Sequence, residues 1–303
     1  MKVIYADNNA TTAIATEVYE EMIPYLTENY FNPSSMYEPA TEAAQAVNRA
    51  RERIATKLGG IHPRELLFTS CATESNNMAI QGTAKARPER KHIITTTVEH
   101  PAVLEVCKEL ERQGYEVTWL SVDSEGNLDM SEYVRSLRPT TLLVTIMHAN
   151  NETGVIFPIE KLSRIAKETD PSIVFHTDAT QTVGKLPIEL AGNFQHVDLL
   201  SFSGHKLHAP KGVGALFIRR GTPCRPFMLG GHQEAGRRGG TENVPYIVGL
   251  AKAVELAMDN QEAEETHIRR LRDKLEAALI EKIPSIQING QGAPRLPNTL
   301  NVS

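Results

Sequence analysis

Lys206 follows the apolar run "VDLLSF" (Val197 to Phe202) and opens the glycine-containing turn of "SFSGHKLHAPKGVGAL". A buried ammonium is costly unless it is paired or neutralised. A lysine kept at the end of a buried strand therefore points to use, and an amine at a pocket rim can condense with an aldehyde. Other polar residues fall at comparable places. Thr73 follows "LLFTS", His100 follows "IITTTV", and Asn150 and Asn151 follow "LLVTIM". Asp178 and Gln181 follow "IVFH", and Ser203 and His205 flank the turn before Lys206. In open α/β sheets, ligands sit beyond the carboxyl ends of the strands. Any one of these residues is ordinarily a cap or turn former, and Asp178 alone reads equally well as a helix cap. The whole set points to one site.

An aldehyde that suits the set is pyridoxal phosphate. It needs an acid facing its ring nitrogen, a cup for its phosphate and side chains that orient its ring. Asp178 supplies the acid and keeps the pyridine protonated. In "SCATES", Thr73 and neighbouring N–H groups open a helix, and helix N-termini bind phosphate. Ser203 and His205 complete the cup. His100 offers a flat ring to stack, and Gln181 and Asn151 offer amide donors to the phenolic oxygen. Nucleotide readings lack support: there is no GxxxxGK[ST] and no GxGxxG after an early strand. The glycine-rich "GGHQEAGRRGGTENV" matches neither pattern and by itself reads as a solvated loop.

The elements that position these residues alternate along the chain. Strands are expected at "ELLFTS", "KHIITTTVEH", "YEVTWLSV", "TLLVTIMHANN", "SIVFHTDA", "VDLLSFS" and "VGALFIRR". Helices are expected at "SNNMAIQGTAKA", "PAVLEVCKELERQG" and near "IEKLSRIAKE", with Pro101 in a first turn and Gly114 at an end. The alternation predicts an α/β fold, a mainly parallel sheet sandwiched by helices. The short link from "VDLLSFS" to "VGALFIRR" predicts one antiparallel member. From "PYIVGLAKAVELAMDN" to "EETHIRRLRDKLEAALIEKI" the pattern is helical and marks passage into a second, smaller domain. Residues 16–259 are expected to form the large domain, with residues 1–15 and 260–303 forming part of the smaller α+β one.

Composition narrows the function classes. The 303 residues are 41% hydrophobic and 23% charged, with a net charge of −5, as in an ordinary soluble protein. No block of basic residues suggests a nucleic-acid or anionic-membrane surface. The start has no long apolar core, and no run approaches the roughly 20 residues of a membrane span. The three cysteines, Cys71, Cys107 and Cys224, form no zinc pattern, and a reducing cytoplasm is the expected compartment.

The motifs together resemble those of the pyridoxal-phosphate cysteine desulfurases of the NifS/IscS family, nearest the nitrogen-fixation type. They are "YADNNATT", "NPSSMY", "FTSCATESNN", "VEHPAVLE", "ANNETG", "HTDATQTVGK", "SFSGHKLHAPKGVGALF" and "GGHQEAGRRGGTENV", in family order, continued by "RLPNTLNVS". The resemblance implies fold type I, a homodimer and conversion of L-cysteine to L-alanine. The sulfur would leave as a protein persulfide bound for an iron–sulfur scaffold protein. It implies Lys206 as the cofactor lysine, His100 for stacking and proton transfer, and Asp178 at the ring nitrogen. It further implies Asn151 and Gln181 at the ring oxygen, and Ala72, Thr73, Ser203 and His205 at the phosphate. Thr241 would reach the neighbouring subunit's cofactor phosphate.

The resemblance also implies a nucleophilic cysteine and a carboxylate-binding arginine in motifs that this sequence does not contain, as in a chain lacking its C-terminal part. Cys71, Cys107 and Cys224 do not match the nucleophile motif. Two other functions stay open on these residues: another fold type I enzyme, such as a Cβ–S lyase or aminotransferase, or a non-catalytic cofactor-binding remnant.

Overall fold

The computed structural model describes residues 3–303. Seven strands form one sheet: β1 (Leu66–Thr69), β2 (His92–Thr96), β3 (Glu116–Leu120), β4 (Thr141–Thr145), β5 (Val174–Asp178), β6 (Leu199–Ser203) and β7 (Gly214–Ile218). Their spatial order is β1-β7-β6-β5-β4-β2-β3. From β3 through β6 all pairings are parallel, while β7 runs antiparallel to both β6 and β1. The antiparallel member expected from the short β6–β7 link is thus β7. Because β1 pairs with the reversed strand, it points the same way as β6. The carboxyl ends of β1, β2, β4, β5 and β6 therefore share one rim.

Alternation along the strands divides the core into two layers. Leu66, Phe68, Ile94, Phe175 and Leu200 belong to one cluster, whereas Leu67, Ile93, Val174 and Leu199 belong to the other. The second layer is completed by α3 (Ala72–Ala86) and α4 (Pro101–Arg112). The first is completed by α1 (Thr16–Thr27), α2 (Glu38–Lys57), α5 (Met130–Ser136), α6 (Ile159–Thr169) and α7 (Val244–Asp259). Helices thus cover both faces. The long helical stretch after Pro245 is two helices, α7 and α8 (Gln261–Lys282), with Asn260 between them. The run "TLLVTIMHANN" stays in the sheet only to Thr145, and its second half turns across the rim.

The glycine-rich stretch is firmly tied down. Glu234 is buried and makes a two-pronged ion pair with Arg51, at 2.7 and 2.8 Å, while accepting the Phe68 N–H at 3.2 Å. Arg238 pairs with Glu74 at 2.8 Å. Removing one partner of such buried pairs strands the other charge. These anchors, absent from any local pattern, fix a stretch whose other residues are mostly exposed, so the loop read from glycine content is solvated but pinned at Glu234 and Arg238.

β7 passes very close to the start of α3. A Cβ on Gly214 would sit 2.7 Å from the Phe202 carbonyl oxygen and 2.9 Å from the Cys71 carbonyl carbon. Backbone atoms on both sides cannot yield as a flexible side chain could. Gly214→Ala is therefore expected to lower stability by roughly 1–3 kcal/mol, the usual cost of overpacking, measured by denaturant unfolding.

Candidate active site

The rim encloses a cavity of about 440 Å³. Its lining includes Ala72, Thr73, His100, Asn151, Asp178, Gln181, Ser203, His205 and Lys206, nine of the residues singled out from sequence. Asn150 stands beside it as a turn former: its Oδ1 accepts the Glu152 and Thr153 N–H groups, each at 2.9 Å. Thr241 is exposed and borders a separate recess of about 190 Å³ with Phe68, Ser70 and Gly212. Within one chain it does not reach the main cavity.

Lys206 ends a short 3₁₀ turn, Gly204–Lys206, that directly follows β6. Its Nζ donates to the carbonyl oxygens of Asn9 and Ala10, the latter at 2.7 Å. Burial lowers its proton affinity, an effect opposed by Asp7, Asp178 and Glu152. An amine more easily freed of its proton is the better nucleophile toward a carbonyl.

Asp178 closes β5 and is 6% exposed. Its Oδ1 accepts the Thr180 N–H at 2.9 Å, and its Oδ2 accepts Asn76 Nδ2 at 2.6 Å. Asn76 lies on α3 one turn beyond Thr73, fully buried, with its own Oδ1 unpartnered. It lines the cavity and was missed from sequence, although its i, i+3 spacing from Thr73 puts both on one helix face. Thr180 was missed too, and its buried Oγ1 has no partner.

The phosphate end is legible in what is left unsatisfied. Cys71 occupies the N-cap of α3 without a side-chain cap, and among the described residues nothing accepts from the N–H groups of Ala72, Thr73 or Glu74. An uncapped helix start carries partial positive charge and free donors. Beside it, Ser203 Oγ is buried and unpartnered. His205 donates or accepts at Nδ1 with Thr11 Oγ1 at 3.1 Å. Burial, then Lys206 and Lys211, push its imidazole down to about 4, so it is neutral at neutral pH. Open donors, an orphaned hydroxyl, a carboxylate and a free-base-prone amine fit pyridoxal phosphate.

At the opposite wall, His100 caps α4, its Nδ1 accepting the Ala102 N–H at 3.1 Å. That leaves Nε2 as the atom available to a ligand. Asn151 Nδ2 donates to Glu152 at 2.8 Å. Gln181 is buried, its Nε2 donating to the Asn9 carbonyl at 3.0 Å. Asn9 links several walls: its amide also donates to Thr299 Oγ1 at 2.9 Å and to the Asn151 carbonyl at 3.2 Å.

Comparisons with known proteins agree with this arrangement. The model of the class-V aminotransferases matches residues 4–303. A cysteine desulfurase of Nostoc sp. is 54% identical over 302 residues, covering 100% of this chain and 74% of the relative. A solved NifS-like protein superposes with a TM-score of 0.95 at 43% identity, covering 100% of this chain and 82% of that one. A structure described as SspA in complex with cysteine gives a TM-score of 0.88 at 39% identity, covering 99% and 83%. The chain belongs to the class-V aminotransferase family, whose members use pyridoxal phosphate in fold type I architecture. Within that class it is a member of the cysteine desulfurase family.

Glu99, next to His100, is fully enclosed. Its Oε1 accepts the Met147 N–H and Thr96 Oγ1, each at 2.9 Å, and Oε2 has no partner. Burial, reinforced by Asp178, pushes its carboxyl up to about 8 from the usual 4.5. The folded chain thus holds a proton that the unfolded chain has released. This contribution to stability is complete below the unfolded value and is lost as pH rises through the folded one. Glu99→Gln should remove that slope: its melting temperature should gain on the unmodified chain between about pH 5 and about pH 9. A constant difference across that range would contradict a proton on Glu99.

Proposed function

We propose that this cavity holds pyridoxal phosphate through its named side chains, and that the chain carries the cofactor chemistry of a cysteine desulfurase, in which L-cysteine becomes L-alanine as an attacking thiolate takes the sulfur as a persulfide. One observation carries the reading: Lys206, Asp178 and the open start of α3 beside Ser203 face a single cavity. When bound, the cofactor supplies a protonated pyridine ring that draws electrons from the Cα of an attached amino acid. Asp178, held by Asn76, gives the ring nitrogen its counter-charge. Ala72, Thr73, Ser203 and His205 hold the phosphate, and Asn151 and Gln181 the phenolic oxygen. Lys206 would hold the aldehyde, and its amine would take and return the Cα proton at Nζ. His100 covers the ring and accepts the substrate thiol proton at Nε2. The cysteine bound to SspA supports the choice of amino acid.

The division into a large domain, residues 16–259, and a smaller one including residues 1–15 and 260–303 belongs to the same proposal. So does a homodimer in which Thr241 reaches the partner's cofactor. Further along the sulfur's path, the proposal includes an iron–sulfur scaffold as acceptor, a nitrogen-fixation setting and a cytoplasmic location. Among the described residues no helix is long and apolar enough to cross a membrane.

The assignment of Lys206 is tested by loading the chain with pyridoxal phosphate, reducing with borohydride and mapping peptides. The pyridoxyl group should lie on Lys206; finding it on Lys185 or Lys211 would overturn the assignment.

Sulfur transfer needs an ionised, reachable thiol. Burial pushes Cys107 and Cys224 each up to about 12; Cys107 lies on the buried face of α4 and Cys224 against Met78 and Gly82 of α3, and neither lines the cavity. After incubation with cofactor and L-cysteine, alkylation and peptide mapping should find no persulfide on either. Turnover-linked persulfide on Cys107 or Cys224 would require a different sulfur acceptor from the one proposed.

A further inference from the structure

Lys185 has no part in the mechanism above, yet it stands one residue layer behind it. It belongs to the turn "TQTVGK" that follows Asp178. Its Nζ donates to Gln181 Oε1 at 3.2 Å. The turn is pressed against the cofactor lysine's own loop: Gly184, at φ +75°, has no room for a Cβ, which would meet Ala257 Cβ at 2.6 Å and Leu207 Cδ2 at 2.9 Å. Leu207 is the residue after Lys206. The backbone of the turn is thus held beside the segment that carries Lys206.

An ammonium has donors and no acceptor. Whatever faces Lys185 must be the oxygen end of the Gln181 amide. On the other side, the Asn9 carbonyl can only accept, and Gln181 Nε2 donates to it at 3.0 Å. Two neighbours of opposite character thus fix one orientation of an amide that is otherwise nearly symmetric in shape. The second N–H of Nε2 stays free in a residue lining the cavity. The same Asn9 carbonyl also accepts from Lys206 Nζ. Lys185, Gln181, Asn9 and Lys206 make a continuous chain of polar contacts, and burial, joined by the proximity of Lys206, lowers Lys185 to about 8.

We propose that Lys185 is a positioning residue: it locks the Gln181 amide with its N–H side toward the ligand and thereby tunes the proton affinity of the cofactor-bearing Lys206 site. The inference rests on the cavity being a pyridoxal phosphate site. Without Lys185, the Asn9 carbonyl is, among the described residues, the one remaining constraint on the amide, and the orientation with its oxygen toward the cofactor's phenolic oxygen gains population. A lost donor leaves that oxygen's anionic form less stabilised, so its proton is held more tightly.

The test follows the pH dependence of the cofactor's visible absorption in the loaded chain, without substrate. Lys185→Met, which keeps the stem and removes the donor, should move the midpoint upward by roughly half to one pH unit, the worth of one hydrogen bond to one protonation state. Gln181→Met should move it the same way, and the double variant no further than the larger single shift, because the two act as one unit. Lys185→Arg, which keeps donors, should stay near the unmodified midpoint and serves as the reporter should the Met variant fail to fold. An unmoved midpoint in Lys185→Met, additive shifts in the double variant, or an Arg variant that shifts as far as Gln181→Met would overturn the inference. Absence of cofactor absorption in the unmodified chain would overturn the reading of the cavity, and this inference with it. A bound cofactor that is indifferent to Lys185 overturns the inference alone.

Discussion

A half-buried amine must find oxygen, and the way Lys206 finds it organises the site. Neither of its acceptors belongs to the sheet. The oxygens come from Asn9 and Ala10, in a segment drawn across the strand ends. That segment is held by backbone pairing of Thr12 with His205 at 2.9 Å and of Ala15 with His208 at 3.0 Å. The loop bearing the lysine and the strap bearing its acceptors are thus one hydrogen-bonded unit. The same strap closes the cavity over Gln181 and brings in Asp7, whose charge partly offsets the effect of burial on Lys206.

The two ends of the cavity use opposite electrostatics. At the start of α3, unclaimed N–H donors and the neutral His205 favour an anion. At the foot of β5, Asp178 favours a cation. Between them lies an amine with reduced proton affinity. Each condition is set by backbone geometry, by where a helix begins or a strand ends. The reversed strand, β7, makes its tight pass along Cys71 at the start of α3.

Much of this was legible. Lys206, Asp178, Ser203 and His100 are polar residues at the ends of apolar runs, and their convergence follows once the strands are read as parallel. Asn76 carried a signal in its spacing from Thr73 but sat inside a helix pattern that looked complete without it. Asn9 gave none, because its main contribution is a carbonyl that any residue owns. The helix α2 was not read because its buried face is largely alanine, Ala40, Ala43, Ala46 and Ala50, a weak apolar signal that makes sense only once α7 lies against it. Thr241 and the glycine-rich loop follow a different rule: their order comes from Arg51 and Glu74, distant partners that local composition does not reveal.

The amide of Asn9 bonds Thr299 Oγ1 and accepts from Asn298 Nδ2 at 2.8 Å. A separation of 290 residues lies between Asn9 and Thr299. Closing so large a loop is slow relative to local events, and long-range contacts form late in folding. On a ribosome, the strap over Lys206 has its full set of anchors only after residue 299 has emerged. The sheet can be assembled well before that. A cavity with all its anchors is then expected only once Asn298 and Thr299 have joined the strap.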